Sequence, residues 1–279
     1  MADTFAIRLL RFLPRNLISR LFGRLAAVER PRFFASWCKE SFARRFDIDF
    51  GEAEHPIEFY PSLLKMFTRR LREGARPIDL DPTAIVSPVD ARVGAFGRIE
   101  SGRLLQAKGM DYGLAALLGS DEAAQPFSDG HFVTLYLSPR DYHRIHTPDT
   151  GRIRSTLYEP GTLWPVNPPA VRTIPALFAV NERVTTVIAT DDGELAVCMV
   201  GATNVGSIRL AYEDFVSNRR GARFVAEHVP PLECFRGSEL GTFELGSTVV
   251  LLIANARFRF EGLEEGAWIP MGQAIGHHH

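Results

Sequence analysis

The stretch FELGSTVVLLI, residues 243–253, contains an unbroken run of β-branched and aliphatic residues from Thr248 to Ile253. Such a run predicts a buried strand. Gly246 and Ser247 stand immediately before it. Glycine permits backbone conformations that other residues avoid, and it leaves its own carbonyl carbon open to the neighbouring hydroxyl. The pair has the arrangement that an internal N-to-O acyl shift needs, although Gly-Ser before a strand is also typical of a simple turn.

Two other stretches supply the partners that a serine nucleophile needs. SPVD, residues 87–90, ends in Asp90, and LSPRDYHRIHTP, residues 137–148, contains His143 and His146. A serine hydroxyl becomes reactive when a base removes its proton and a carboxylate orients that base. The sequence therefore offers Asp90, His146 and Ser247 as a candidate triad, while distance along the chain leaves open whether the three converge.

Four separated motifs resemble those of one enzyme family. They are SPVDARV at 87–93, YLSPRDYHRIHTP at 136–148, VGATNVGSI at 200–208 and LGST at 245–248. In this order they resemble the bacterial phosphatidylserine decarboxylases, which are membrane-associated and pyruvoyl-dependent. The resemblance extends from the N-terminal helices to about Gly272, with a small departure in the less aromatic stretch SLLKMFTR at 62–69.

The resemblance implies that the chain first cleaves itself between Gly246 and Ser247. In this interpretation His146, oriented by Asp90, takes the proton of Ser247, whose oxygen attacks the carbonyl of Gly246. Elimination and loss of ammonia then leave a pyruvoyl group at position 247. The products are a large chain, 1–246, and a small chain, 247–279, which we expect to stay associated because the small chain begins with a core strand.

The pyruvoyl group is the cofactor that the resemblance implies, and it acts as an electron sink. The amine of phosphatidylserine would form a Schiff base with it, and carbon dioxide would leave to give phosphatidylethanolamine. His143 is the candidate for proton transfer or for handling the carboxylate, since an imidazole titrates near neutral pH. A structural role for His143 is the alternative.

Further residues in the same motifs have weaker assignments. Asn167 and Lys108 match positions of the family pattern and are candidate substrate contacts, although turn chemistry explains both equally well. We expect Arg140 and Asp141 to tether their loop. The histidines and cysteines show no metal-ligand spacing, so we predict no metal site.

Charge is distributed unevenly along the 279 residues, whose net charge is −1. This balance gives no reason to expect nucleic acid as a partner. The first 45 residues carry ten Lys and Arg against three Asp and Glu, a net charge of +7. After Pro14 the apolar residues recur on one helical face, namely Leu17, Ile18, Leu21, Phe22 and Leu25. This pattern predicts a basic amphipathic helix on an anionic membrane surface, with packing on its own domain as the alternative.

The compartment follows from cysteine use and hydropathy. Three cysteines without redox spacing favour a reducing compartment. No apolar run reaches the roughly 20 residues that a transmembrane helix needs, and arginines interrupt every candidate signal-peptide core. We therefore predict a peripheral protein on the cytoplasmic face of the inner membrane, and the resemblance implies a homodimer. His277–His279 have the appearance of a truncated purification tag.

Near residue 76 the sequence pattern changes from one typical of helices to one typical of strands. Helical patterns cover Phe5–Leu13, the segment after Pro14, Arg32–Phe46 and Phe59–Leu71. Short β-branched runs separated by Gly, Pro, Asp and Asn follow, with Met110–Leu118 as the one predicted helix among them. The predicted fold class is α+β: N-terminal amphipathic helices, residues 1–75, on a predominantly antiparallel β catalytic domain, residues 76–272.

Three other functions remain open at this point. A soluble pyruvoyl decarboxylase of a free amino acid would share the Gly-Ser cleavage without needing the basic N-terminus. A serine hydrolase would use Asp90, His146 and Ser247 for turnover and keep Ser247 intact. A non-catalytic lipid-binding protein would need none of the three.

Overall fold

The computed structural model describes residues 14–107, 109–203, 207–218, 221–244 and 247–279, and for Ser247 the backbone alone. The predicted helix at 5–13 lies outside the described residues. The described helices are α1 Arg15–Ala26, α2 Arg32–Phe46, α3 Leu63–Phe67, α4 Leu114–Leu118, α5 Asp121–Ala124, α6 Pro168–Val171 and α7 Leu177–Val180, with 3₁₀ turns at Ile57–Phe59 and Gln125–Phe127. Across this part of the chain, no helix combines the length and the apolar character that crossing a membrane requires.

The strands are short, as the spacing of turn residues predicts. They are β1 Ala84–Val86, β2 Ala91–Arg98, β3 Arg103–Ala107, β4 Met110–Gly113, β5 His131–Leu137, β6 Arg144–His146, β7 Gly151–Glu159, β8 Arg183–Thr190, β9 Gly193–Gly201, β10 Ile208–Leu210, β11 Phe224–Cys234, β12 Glu239–Phe243, β13 Ser247–Ile253, β14 Arg259–Phe260, β15 Trp268–Ile269 and β16 Ala274–His277.

An eight-stranded antiparallel sheet forms the centre of the molecule, in the order β11-β7-β8-β9-β13-β5-β2-β15. Three-stranded sheets, β1-β16-β14 and β10-β12-β6, and the β3-β4 pair surround it. The predicted α+β class with a mainly antiparallel sheet is therefore confirmed. His277, which we expected to belong to a tag, pairs with Ala84 as the last residue of β16, and the origin of the three histidines stays a prediction.

β13 is buried on both faces because its residues alternate between two apolar layers. Val249, Leu251 and Ile253 belong to one layer with residues of β5, β9 and β12. Val250 and Leu252 belong to the other, which includes the short helices α4 and α7. The run that predicted a buried strand thus occupies the middle of the main sheet.

Two predicted helices are shorter than expected. Within Phe59–Leu71 only Leu63–Phe67 is α-helical, because Pro61 keeps the preceding residue extended and Ser62 begins the helix by accepting a hydrogen bond from the Lys65 N–H at 3.3 Å. Of Met110–Leu118, the first four residues form β4 and the last five form α4. In the first case only the length was wrong. In the second, residues 110–113 were also wrong in type, and the short helices α5, α6 and α7 were not predicted.

Candidate active site

The predicted cleavage point lies at the start of the central strand. Ser247 is the first residue of β13, opposite Leu137 of β5 and Gly201 of β9. Gly246 lies outside the described residues, as does the side chain of Ser247. The described backbone places Ser247 where β13 begins in the main sheet.

Two contacts bring the segment of His143 to the end of the main sheet where β13 begins, whereas His146 lies in β6 opposite Glu239 of β12. β5 ends at Leu137, opposite Ser247, and the chain continues directly into the loop that carries His143 and His146. The carbonyl of His143 also accepts a hydrogen bond from the Phe243 N–H at 2.9 Å, four residues before Ser247. The histidine segment is therefore tied to the chain on both sides of the predicted cleavage point.

The ring of His143 is fully buried and has one free nitrogen. Its Nδ1–H donates to the carbonyl of Asp141 at 2.8 Å, and its ring lies 4.0 Å from the ring of Phe67. Nε2 is buried and has no hydrogen-bond partner among the described residues. Burial lowers the pKa of His143 to about 3, so the imidazole is neutral and its Nε2 lone pair is available to a ligand.

Both nitrogens of His146 are engaged. Nδ1–H donates to the carbonyl of Gly237 at 2.7 Å, and Nε2 accepts from the Tyr142 hydroxyl at 3.2 Å. Gly237 has a φ of 82°, and a Cβ there would lie 2.9 Å from Ile78, so only glycine fits without strain. Burial lowers the pKa of His146. The ring is thus held as the Nδ1–H tautomer, with Nε2 as its basic atom.

Asp90 is buried and makes its hydrogen bonds elsewhere. Its carboxylate accepts from Arg76 Nε at 2.8 and 3.1 Å, from Arg76 Nη2 at 2.7 Å and from the Met271 N–H at 2.8 Å. Within the described ranges no hydrogen bond joins Asp90 to His146. The negative charge of Asp90 still acts on the ring, since it works against the burial that lowers the pKa of His146.

Arg76 was not predicted from the sequence. Its guanidinium also binds Glu52 at 2.8 Å, and although burial alone would lower its pKa, the hydrogen bonds to Asp90 and Glu52 raise it. An arginine before a proline carries no local signal for a carboxylate fourteen residues away. The ion pair is found only when the chain is folded.

The last residue of α3 and the two residues that follow it brace the histidine loop, and the sequence did not predict this role. Phe67 packs on His143, the carbonyl of Thr68 accepts from Arg144 at 3.0 and 3.2 Å, and Arg69 donates to the carbonyl of Arg140 at 3.0 Å. The brace therefore connects the helical region to the loop that carries both histidines.

The remaining predicted residues have local roles or lie outside the description. Asp141 tethers the loop as expected, because its carboxylate accepts from the Ser138 N–H at 2.7 Å and from the Ser138 hydroxyl at 2.8 Å. Asn167 caps α6 by accepting from the Ala170 N–H at 3.2 Å. Lys108 lies outside the described residues. Substrate contacts for Asn167 and Lys108 stay predictions, and the described residues contain no cluster of potential metal ligands.

Comparison with known proteins gives a consistent answer. A sequence model of the family "Phosphatidylserine decarboxylase" matches residues 63–277. A protein of Myxococcus xanthus is 41% identical over 277 residues, with 99% of both chains covered. Relatives from Anaeromyxobacter and Brevibacillus brevis are each 42% identical, covering 99% and 96% of this chain and 99% and 95% of their own. All three are named phosphatidylserine decarboxylase proenzyme, and on this similarity the chain belongs to the phosphatidylserine decarboxylase family.

Proposed function

We propose that this protein decarboxylates phosphatidylserine to phosphatidylethanolamine after cleaving itself between Gly246 and Ser247. The relatives support this function through their name, which denotes both the reaction and a proenzyme. The observation that carries it in this chain is the buried, neutral His143, whose free Nε2 lies on the loop that meets the start of β13.

Self-cleavage needs a base, and His146 is suited to that role. With Nδ1–H fixed by Gly237, Nε2 takes the proton of Ser247 while the serine oxygen attacks the carbonyl carbon of Gly246. The proton then passes to the leaving amide nitrogen, and an ester replaces the peptide bond. Asp90 favours the protonated ring through its charge, so its contribution is electrostatic at this stage. Burial raises the pKa of Tyr142 to about 12, so its hydroxyl keeps its proton. It turns away from Nε2 of His146 when that nitrogen takes up the serine proton.

The site fits a pyruvoyl group formed from Ser247. Such a group would lie at the amino end of the central strand, next to the loop of His143, and its carbonyl supplies an electron sink for the substrate amine. His143 accepts or delivers a proton at Nε2 when the carboxylate leaves. Phe67 covers the ring and excludes water from that side.

The small chain, 247–279, is built into the large one. β13 pairs along its whole length with β5 and β9, the Met271 N–H donates to Asp90, and β16 pairs with β1. Cutting one peptide bond removes none of these contacts. We therefore expect both chains to purify together.

The helical region supports attachment to an anionic membrane, at the cytoplasmic face of the inner membrane. Leu17, Leu21 and Leu25 of α1 are each about half exposed, and two large side chains of α2, Phe33 and Trp37, are exposed beside them. The opposite side of α1 faces the protein, where the guanidinium of Arg15 lies 3.7 Å from the Trp164 ring and Asn16 donates to the Gly161 carbonyl at 2.9 Å. Apolar side chains thus point outward, as a helix on a lipid surface requires. The homodimer stays a prediction.

A decarboxylation assay tests the function directly. The purified protein is incubated with phosphatidylserine whose serine carboxyl carries an isotope label. We expect labelled carbon dioxide and phosphatidylethanolamine in equal amounts, loss of activity with hydroxylamine, and no activity in Ser247→Ala. Release of fatty acid instead would identify a hydrolase, and carbon dioxide from free serine alone would identify an amino acid decarboxylase.

Vesicle sedimentation tests the membrane surface. The triple variant Leu17→Gln, Leu21→Gln, Leu25→Gln should lose most of its binding to vesicles that contain anionic lipid. Leu80→Gln is the matched control, because Leu80 is 89% exposed but lies outside the helical region. Equal binding by both variants would rule out the α1 surface.

A further inference from the structure

A cavity of about 540 Å³ lies against the face of the main sheet that carries Thr248. Strand residues Thr134, Tyr136 and Thr248 form its floor, and Val166 and Phe178 lie among its walls. Its size is in the range of small-molecule sites, and such sites combine apolar walls with a few polar groups.

Two of its polar groups are left without a hydrogen bond. The hydroxyls of Thr134 and Thr248 are buried and have no partner in the part of the chain that the structure describes. Thr134 is 5% exposed and Thr248 is fully buried. Because an unmade hydrogen bond in a protein interior is costly, buried hydroxyls nearly always have a partner. A rotation of about 120° around χ1 exchanges the hydroxyl and methyl of a threonine, so either hydroxyl can turn toward a ligand.

The cavity is placed to hold the part of a ligand next to the reacting group. Thr248 directly follows Ser247, and Tyr136 lies opposite Thr248 in the sheet. Thr134 lies opposite Val250, two residues farther along. In phosphatidylserine the phosphodiester is only a few bonds from the amine that must meet position 247. Thr248 and Thr134 thus lie one after the other along the path that the phosphodiester of such a substrate would follow away from the reacting residue.

The charges around the cavity favour an anion. Arg92 and Arg172 line it together with one acid, Glu265. Arg92 is directed by a hydrogen bond of 2.9 Å from Nη1 to the Gly266 carbonyl. Phosphate oxygens accept hydrogen bonds well from arginine and threonine donors. Given the proposed function, we propose that this cavity binds the phosphodiester of the substrate through the Thr248 and Thr134 hydroxyls, and so selects phospholipid over free serine.

A binding experiment tests the cavity without relying on catalysis. The probe is dihexanoyl phosphatidylmethanol below its micelle concentration, which keeps the phosphodiester but lacks the amine and the carboxylate. Its Kd is measured by calorimetry on the uncleaved Ser247→Ala chain, alone and combined with Thr134→Val. We expect a Kd about tenfold higher with Thr134→Val, because a hydrogen bond to a charged group is lost. Thr134→Ser, which keeps the hydroxyl, should bind within about threefold of its parent.

Thr186→Val is the matched control, since Thr186 is also a fully buried strand threonine but has a partner, the Tyr212 hydroxyl at 2.8 Å. Thr186→Val should lower Tm and leave Kd unchanged. Thr134→Val should raise Kd without lowering Tm, because its hydroxyl has no partner to lose. A Thr134→Val chain that loses Tm but keeps its Kd would overturn the proposal, and so would a parent chain that does not bind the probe.

The processed enzyme provides the second measurement. With dihexanoyl phosphatidylserine, Thr134→Val should raise KM about tenfold with kcat within about twofold. If KM rises but the probe binds equally well to both chains, the hydroxyl contacts the carboxylate and the phosphodiester assignment is wrong. If the wild-type protein binds the probe but releases no carbon dioxide, the cavity assignment stands and the proposed decarboxylation fails.

Discussion

His143 and His146 lie three residues apart, yet their rings have different surroundings. His143 packs on Phe67 of α3, and its Nε2 has no hydrogen-bond partner among the described residues. His146 has both nitrogens occupied, by Gly237 and Tyr142. Under the proposed function, this difference lets one short motif supply two separate bases: His146 for the single cleavage event and His143 for repeated turnover.

The largest expected effect is on the rate of self-cleavage and concerns His146. His146→Gln should slow self-cleavage at least about a thousandfold, since removal of a triad base costs that much or more. Gel electrophoresis of the purified protein over several days measures it. Normal cleavage in this variant would remove His146 from the mechanism and leave His143 as the base for both steps.

The second largest effect is on turnover by the processed enzyme and concerns His143. His143→Gln should cleave normally, but the processed enzyme should lose about 10²- to 10⁴-fold in kcat, the range for loss of a proton-transfer group. Carbon dioxide release per mole of small chain gives the comparison. Were cleavage and turnover to fall together, the two histidines would form one functional unit, contrary to their separate surroundings.

The third prediction concerns the buried ion pair between Arg76 and Asp90. Arg76→Gln leaves the buried carboxylate of Asp90 without its cation, and breaking a buried ion pair destabilises a protein by about 3–5 kcal/mol. The control is Arg44→Gln, whose pair with Glu40 is exposed and should contribute about 0.5 kcal/mol or less. Urea unfolding on the Ser247→Ala background measures both. Similar small losses would show that Arg76 does not hold Asp90.

The smallest effect is on the pH dependence of stability, and it tests whether His143 is buried and neutral. Its pKa in the folded protein, about 3, lies below the usual value near 6.5. Below pH 6.5 the unfolded chain therefore takes up a proton that the folded chain refuses, and stability falls as pH drops from 6.5 toward 3. We expect this group to cost on the order of 3 kcal/mol at pH 4. In Ser247→Ala, the added change His143→Gln should flatten the decline, and an unchanged slope would contradict a buried, neutral His143.

Sequence reasoning reached the strands because their signals are local, and the roles of the predicted reactive residues stay predictions. Thr248–Ile253 is an apolar run with no polar interruption, and it forms the central strand. The sequence did not predict the roles of Thr68, Arg69 and Arg76, since each acts through a contact with a residue far along the chain. Gly237 is a similar case: its carbonyl orients His146 from 91 residues away, a role that the sequence assigned to Asp90.

The predicted helix boundaries were wrong for a different reason. Of the four residues after α3 in the predicted span, only Leu71 is apolar and only Arg69 is buried, at 4% exposed. The side chain of Arg69 and the carbonyl of Thr68 bind the histidine loop. These contacts join residues far apart along the chain, so the apolar pattern could not show that the helix ends at Phe67.

The most direct test of self-processing at Ser247 is an intact-mass spectrum. The protein is purified in its folded state and is denatured for the measurement. The account predicts two chains that meet between Gly246 and Ser247, with the small chain lighter by one ammonia than a peptide that begins with serine. Ser247→Ala should give one chain. A single full-length mass for the wild-type protein after long incubation would contradict self-processing at Ser247.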